Sequence, residues 1–288
     1  MKLDNVAHTF TAYIAKVLPL SYKLSLYRNP AISHLIRKGL NRFAPEGLSI
    51  VSIASGANEG LKMRLDLHSE KDYWLGTYES ELQQAIGKLV KPGQIVYDIG
   101  ANIGFVTLLF ARQTGPQGHV FAFEALPANV NRLRQSVELN GYQERVSVIQ
   151  AAVQDHTGQA EFLVGPSDGM GKVQGSAGRD SIDYEQRIQV EGISIDQFIG
   201  NSGNPPPDII KMDIEGGEIL ALPGMASLLQ EGRPLLLIEL HGPEAARVSW
   251  EALRTADYRI TQMESQFPQV MSVEDLNWKS YLVAFPSE

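Results

Sequence analysis

Apolar positions change their rhythm three times along this chain. In residues 4–18, Val6, Phe10, Tyr13, Ile14 and Val17 recur at steps of three and four, which predicts one helical face with Asp4 or Asn5 as its cap. Pro19 and Pro30 interrupt the pattern, and a second amphipathic stretch follows over residues 32–43. Residues 48–67 then alternate apolar with polar around turn signals at Gly56 and Asn58-Glu59-Gly60, so a β-hairpin is expected. Past Lys91-Pro92-Gly93, short apolar runs alternate with longer amphipathic ones. Strands are expected over 95–99, 119–124, 146–152, 209–213 and 235–240, and helices over 105–113, 128–140, 218–230 and 244–255. That order predicts a parallel sheet covered on both faces. Residues 258–263 and 281–285 read as a closing antiparallel strand pair. Residues 165–181, rich in Gly and Ser and without periodicity, read as a mobile loop.

Charge divides the chain at nearly the place where the rhythm changes. Residues 1–45 hold seven Lys/Arg and one Asp, a balance of +6, while the other 243 hold 18 basic and 32 acidic side chains, a balance of −14. The expected layout is a basic helical N-terminal extension (1–47), a β-hairpin and lead-in (48–75) and a catalytic domain (76–288). The extension suits a lid or a homodimer contact, with adsorption to an anionic membrane as the weaker alternative. Cysteine is absent, which excludes a disulfide scaffold, a thiolate metal site and a cysteine nucleophile. No apolar run reaches the roughly 18–20 residues of a membrane span, and no secretory leader is read at the start, so a cytoplasmic protein is expected.

The chemistry gathers at the ends of the apolar strands. Asp98-Ile99-Gly100-Ala101-Asn102-Ile103-Gly104 carries a strand through a Gly-bounded turn into a helix, where backbone amides can hold an anionic group. The next strand ends in Glu124, 20 residues after Gly104, the place from which an acid accepts from ribose hydroxyls. Asn102 stands where a dinucleotide fingerprint has its second glycine, and Asp98 would repel a pyrophosphate but suit an amino-acid ammonium. These features favour S-adenosylmethionine over NAD. Asp213, with Glu215 and Glu218 at the following helix start, and the alternating Glu239 and His241 end the next two strands. An alcohol acceptor must lose its proton, so His241 or Asp213 is expected to be the general base. Asp213, Glu215, Glu239 and His241 are also donors that one Mg²⁺ or Mn²⁺ could share, although no compact ligand motif is present. Nothing points to nucleic acid: the catalytic part is acidic and lacks a basic stripe interleaved with aromatics.

Taken together, Gly76-Thr77-Tyr78-Glu79, the turn at 98–104, Phe123-Glu124, the run from Lys211 to Glu218 and Ile238-Glu239-Leu240-His241 resemble the FkbM family of S-adenosylmethionine-dependent methyltransferases. The resemblance implies an α/β class I methyltransferase (Rossmann-like) fold, mostly parallel with a C-terminal antiparallel strand, here carrying the N-terminal helical extension and β-hairpin. It implies O-methylation of a hydroxyl on a sugar, polyketide or other natural product; a non-catalytic S-adenosylmethionine-binding module, a metal-assisted O-methyltransferase and a dehydrogenase are the alternatives. Carried over by position, Asp98, Gly100, Ala101, Asn102 and Gly104 shape the cofactor site. Glu124 and Ala125 meet the ribose, and Ala152 and Val153 border the adenine. Asp213 lies near the transferred methyl, and Glu79 closes the site from outside the core. Glu215, Glu239 and His241 face a small-molecule or glycan acceptor.

Overall fold

The computed structural model describes residues 45–165, 171–178, 182, 184 and 186–287. The helices expected over 4–18 and 32–43, and with them most of the basic extension, lie outside the described residues. The first described elements are β1 (Leu48–Ser52) and β2 (Lys62–Asp66), the antiparallel hairpin that alternation predicts. Two helices follow, α1 (Lys71–Leu75) and α2 (Ser80–Leu89). The repeating part comprises β3 (Ile95–Ile99), α3 (Phe105–Thr114), β4 (His119–Glu124), α4 (Pro127–Leu139) and β5 (Val146–Gln150). It resumes with β10 (Ile209–Met212), α6 (Glu218–Ala221), β11 (Leu235–His241), α7 (Pro243–Thr255), β12 (Tyr258–Gln262) and β13 (Lys279–Pro286).

Seven strands form one sheet in the order β12-β13-β11-β10-β3-β4-β5. β11, β10, β3, β4 and β5 pair in parallel, and β13 lies antiparallel between β11 and β12. This is the class I, Rossmann-like arrangement expected from the sequence. Side chains alternate between two buried layers, as the strand period of two requires. Val96, Val120, Ile209, Leu237 and Val283 pack with α2, α3, α4 and the hairpin. Tyr97, Phe121, Ile210, Leu236 and Leu282 pack against Ile195, Ala221 and Leu253 on the other side. The hairpin shares its layer with the repeating part: Met63 and Leu65 join Leu133 and Val137 of α4, and Arg132 of α4 ion-pairs with Glu70 at 2.6 Å.

Three expectations need correction. The strand expected over 146–152 divides into β5 and β6 (Ala152–Val153). β6 opens a second sheet, completed by β7 (Gly158–Val164), β8 (Gly171–Val173) and β9 (Gln186–Ile193) in the order β6-β9-β7-β8 and followed by α5 (Ile195–Ser202). Residues 171–173, read as part of a mobile loop, are therefore a strand paired with β7. Their glycine-rich composition hides a pairing that depends on a distant partner. The single helix expected over 218–230 is instead three short turns: α6, a 3-10 turn (Leu222–Met225) and a π turn (Leu228–Gly232). Pro223 cannot donate to a continuing helix, which ends α6 after one turn. Among the described residues no helix is long and apolar enough to cross a membrane.

Candidate active site

The carboxyl ends of β3, β4 and β10 open on a cavity of about 980 Å³, counted with its solvent mouth. Open α/β sheets bind ligands at this edge. Its floor is the turn from Gly100 to Ile103. Gly100 has φ of 80°, and a Cβ there would lie 1.9 Å from the Asp213 carbonyl oxygen, so glycine lets the β3 and β10 loops touch. Gly104, with φ of 95°, faces α4 instead: a Cβ would lie 2.6 Å from Leu133 Cδ1. Gly104 does not line the cavity; it seats α3 against α4. Both glycines serve contact within the protein.

Glu124, at the end of β4, has its side chain fixed by the adjoining backbone. Asn102 N–H donates to Oε2 at 2.9 Å and Leu126 N–H to Oε1 at 2.8 Å. Burial raises its pKa despite these donors. Ala125, Ala152, Val153 and Phe162 give this end an apolar wall, part of it from the second sheet. Tyr73, Tyr78 and Phe105 cluster at the opposite wall, with ring centroids 4.3–5.7 Å apart. Glu79, between them and α2, has φ of 45°, and burial pushes its pKa up.

Period two places the remaining charges on one sheet face. Asp98 pairs in register with Lys211, Glu239 with Tyr281 and His241 with Lys279, all on the layer that holds Val96 and Leu237. Asp98 is fully buried and does not reach the cavity. Its Oδ2 accepts from Thr107 Oγ1 at 2.6 Å, and its Oδ1 lies 3.5 Å from Lys211 Nζ without another partner. The expectation that Asp98 meets an ammonium is therefore corrected: Lys211 is its cation. Lys211 Nζ also donates to the Gly100 carbonyl at 2.8 Å and lies 3.9 Å from Asp213 Oδ2. Burial opposes its charge, yet Asp98, Asp213, Glu79 and Glu239 hold its pKa above the lysine range.

Asp213 lines the cavity, and burial raises its pKa to about 8 against the opposing pull of Lys211 and His241. His241 lies behind it, 2 % exposed, with Nε2 3.0 Å from Glu239 Oε1, 3.7 Å from Glu215 Oε2 and 3.8 Å from Asp213 Oδ1. Its Nδ1 is 3.5 Å from Glu218 Oε1. Burial works against the imidazolium, but Glu218 and Glu239 raise its pKa to about 10. These carboxylates favour the imidazolium, and of the two expected bases Asp213 lines the cavity while the His241 ring does not. Glu239 is 5 % exposed and ion-paired with Lys279, so neither it nor His241 forms the cavity wall; Glu215 does.

Asp213, Glu239 and His241 each bring one ligand atom within 4.8 Å of the others, a set a divalent cation could share. The cavity as a whole suits a nucleoside bearing a cationic tail: an apolar wall beside a strand-end carboxylate at one end, and an excess of acids at the other. Sequence reasoning gave no role to Lys211, Tyr73, Tyr78, Phe162 or Lys279. Lys211 had a signal, since a lone lysine inside an apolar four-residue strand must be buried with a counter-charge.

A family model described as the methyltransferase FkbM domain matches residues 98–273, more than half of the chain. The chain belongs to the FkbM methyltransferase family. Among curated relatives, the 2-O-methyltransferase NoeI of Sinorhizobium fredii is 26% identical over 162 residues, 52% of this chain and 65% of NoeI. The match thus spans slightly less than two thirds of that relative. The hexuronic acid methyltransferase AglP of Haloferax volcanii is 23% identical over 185 residues, 63% of this chain and 72% of AglP. A crystal structure of a methyltransferase FkbM from Methylobacillus flagellatus is 18% identical with a TM-score of 0.45, covering 76% of this chain and 53% of that one. This FkbM-family methyltransferase carries site residues outside the matched segment: Tyr73, Tyr78 and Glu79 precede it, and Lys279 follows it.

Proposed function

We propose that this protein transfers a methyl group from S-adenosylmethionine to a hydroxyl oxygen of a sugar, polyketide or other natural product. The observation that carries this reading is Asp213, a carboxylate on the cavity wall whose pKa of about 8 suits proton transfer near neutrality. When bound, S-adenosylmethionine would supply a methyl group from its sulfonium, the sulfur leaving as the thioether of S-adenosylhomocysteine. Glu124 accepts from the ribose hydroxyls, Ala125, Val153 and Phe162 enclose the base, and Asn102 and Gly100 shape the floor. Asp213 takes the acceptor proton as the new C–O bond forms. The Lys211 and His241 cations stabilise its carboxylate form and fix where it points. Most of the acceleration then comes from alignment, with the base adding about 10²–10⁴-fold. A sugar hydroxyl is favoured by the hexuronic acid named for AglP.

Incubation with methyl-labelled S-adenosylmethionine and a hydroxyl-acceptor panel, read by mass spectrometry, tests the reading. Labelled product from wild type, and about 10²–10⁴-fold slower labelling by Asp213→Asn, is expected. Binding of S-adenosylmethionine without transfer to any acceptor would favour a non-catalytic module. Binding of NAD in its place would overturn both. The ligand atoms of Asp213, Glu239 and His241 support a second reading, metal-assisted transfer, which a turnover lost on chelation and restored by Mg²⁺ would favour.

A further inference from the structure

A second cavity, of about 880 Å³ with its open side, lies between the start of α2 and the β12–β13 pair. It opens at the same end of the sheet as the first, because Gln262 ends β12 and Lys279 begins the antiparallel β13, opposite His241. Glu79 lines both cavities. From the second, Lys279 reaches Glu239, whose Oε1 is 3.0 Å from His241, which in turn stands 3.8 Å from Asp213. The groove therefore adjoins the proposed base through one shared wall.

Its composition differs from that of the first cavity. Glu79, Glu81, Gln262, Asn277 and Lys279 present carboxylates, amides and an ammonium around the half-buried ring of Tyr281. Such a lining matches a ligand dense in hydroxyls, each both donor and acceptor, with an apolar ring face. Seven of its ten described lining residues fall outside the segment 98–273 that the family model matches.

We propose that this groove is the acceptor site and that it takes a glycosyl unit, with Glu81 and Asn277 bonding its hydroxyls and one hydroxyl directed past Glu79 toward Asp213. The proposal rests on the methyl-transfer reading and adds to it the acceptor's place and the residues that hold it.

The test uses the full chain, with methyl α-glucoside, methyl α-mannoside, methyl α-fucoside and methyl β-glucuronide as probes and straight-chain alcohols as controls. Binding is read by saturation-transfer NMR, with and without S-adenosylhomocysteine, so no turnover is needed. At least one glycoside is expected to bind. The double variant Glu81→Ala/Asn277→Ala, both exposed positions, should weaken it about tenfold. Gln262→Trp, which fills the groove, should abolish binding. Calorimetric affinity for S-adenosylmethionine should stay within about twofold in each variant. No glycoside binding, or binding indifferent to both variants, overturns the proposal even where S-adenosylmethionine binds normally. Failure of wild type to bind S-adenosylmethionine would instead sink the methyl-transfer reading, and the nucleotide-free arm would still report on the groove.

Discussion

At the Glu124 end of the cavity a single carboxylate is held by backbone amides, whereas at the Asp213 end several carboxylates are held by buried cations. The first arrangement needs only a turn of fixed shape: Asn102 and Leu126 N–H groups reach Glu124 from the loops on either side of it. The second needs side chains from four strands on one sheet face: Asp98 opposite Lys211, and His241, two residues past Glu239, opposite Lys279. Backbone amides tolerate changes in neighbouring side chains. A cation cluster does not, because each buried charge depends on the others. On the proposed function the Glu124 end binds and the Asp213 end changes protonation.

Asp213→Asn should break the comparison most sharply. With the base removed, turnover should fall about 10²–10⁴-fold while the affinity for S-adenosylmethionine, set mainly at the other end, changes little. Calorimetry and single-turnover rates read the two quantities separately. A variant that still turns over near the wild-type rate would remove the functional distinction between the ends. Lys211→Met comes next. It leaves fully buried Asp98 without its cation, and breaking such a pair costs roughly 3–5 kcal/mol, visible as a lowered denaturation midpoint in urea. Glu124→Gln should act only on binding. The loss of a charge-assisted contact to ribose weakens S-adenosylmethionine by about 10–100-fold, with turnover at saturation unchanged. A fall in saturated turnover would mean that this end also takes part in the chemistry.

The same difference governs what could be read from sequence. Gly100, Asn102 and Glu124 sit at fixed offsets along a strand–turn–helix unit, so spacing alone reported them. The acids at 213, 215 and 239 were visible as strand-end carboxylates, but their partners were not. Lys211 meets Asp98 across 113 positions of chain, a meeting that strand order decides. His241 reads as a base from its place at a strand end beside Asp213, but the four carboxylates around it, which favour its charged form, come together only in the fold. Asp98 and Gly104 looked like ligand contacts because their motif often touches ligands. Here burial turns one toward Lys211 and the other toward Leu133. The second sheet escaped notice for a related reason. β7 pairs with β9 across a glycine-rich stretch, and only that pairing carries Phe162 to the cavity wall.

Acidity extends the contrast to pH. Asp213 ionises at about 8 in the folded protein, so the rate at subsaturating acceptor should rise nearly tenfold from pH 7 to pH 8.5 and then level. His241 stays charged across this range because its pKa is about 10. Stability falls with rising pH through both groups, in different windows. The raised pKa of His241 contributes stability present below its ordinary 6.5 and lost as pH rises through about 10. For Asp213 the folded state keeps a proton that the unfolded chain has already lost, so stability falls as pH rises from about 4 to 8. In Asp213→Asn the second slope should disappear from the pH dependence of the denaturation midpoint, and the first should remain.

The smallest expected effect concerns metal. A divalent cation shared by Asp213, Glu239 and His241 would need a neutral imidazole, whereas the Glu218 and Glu239 carboxylates favour the protonated ring. It would also have to displace the Lys279 ammonium from Glu239 and would compete for Asp213, whose Oδ2 lies 3.9 Å from Lys211 Nζ. Two protein cations thus fill the electrostatic role a metal would have, and both are tied to the sheet register. Exhaustive chelation followed by assay in metal-free buffer should therefore leave turnover within about twofold. Activity lost on chelation and regained with Mg²⁺ would show that a bound ion displaces the imidazolium proton. The Asp213 end would then bind its charge from solution, as the Glu124 end binds its ligand, and the division between a binding end and a protonating end would have to be redrawn around His241.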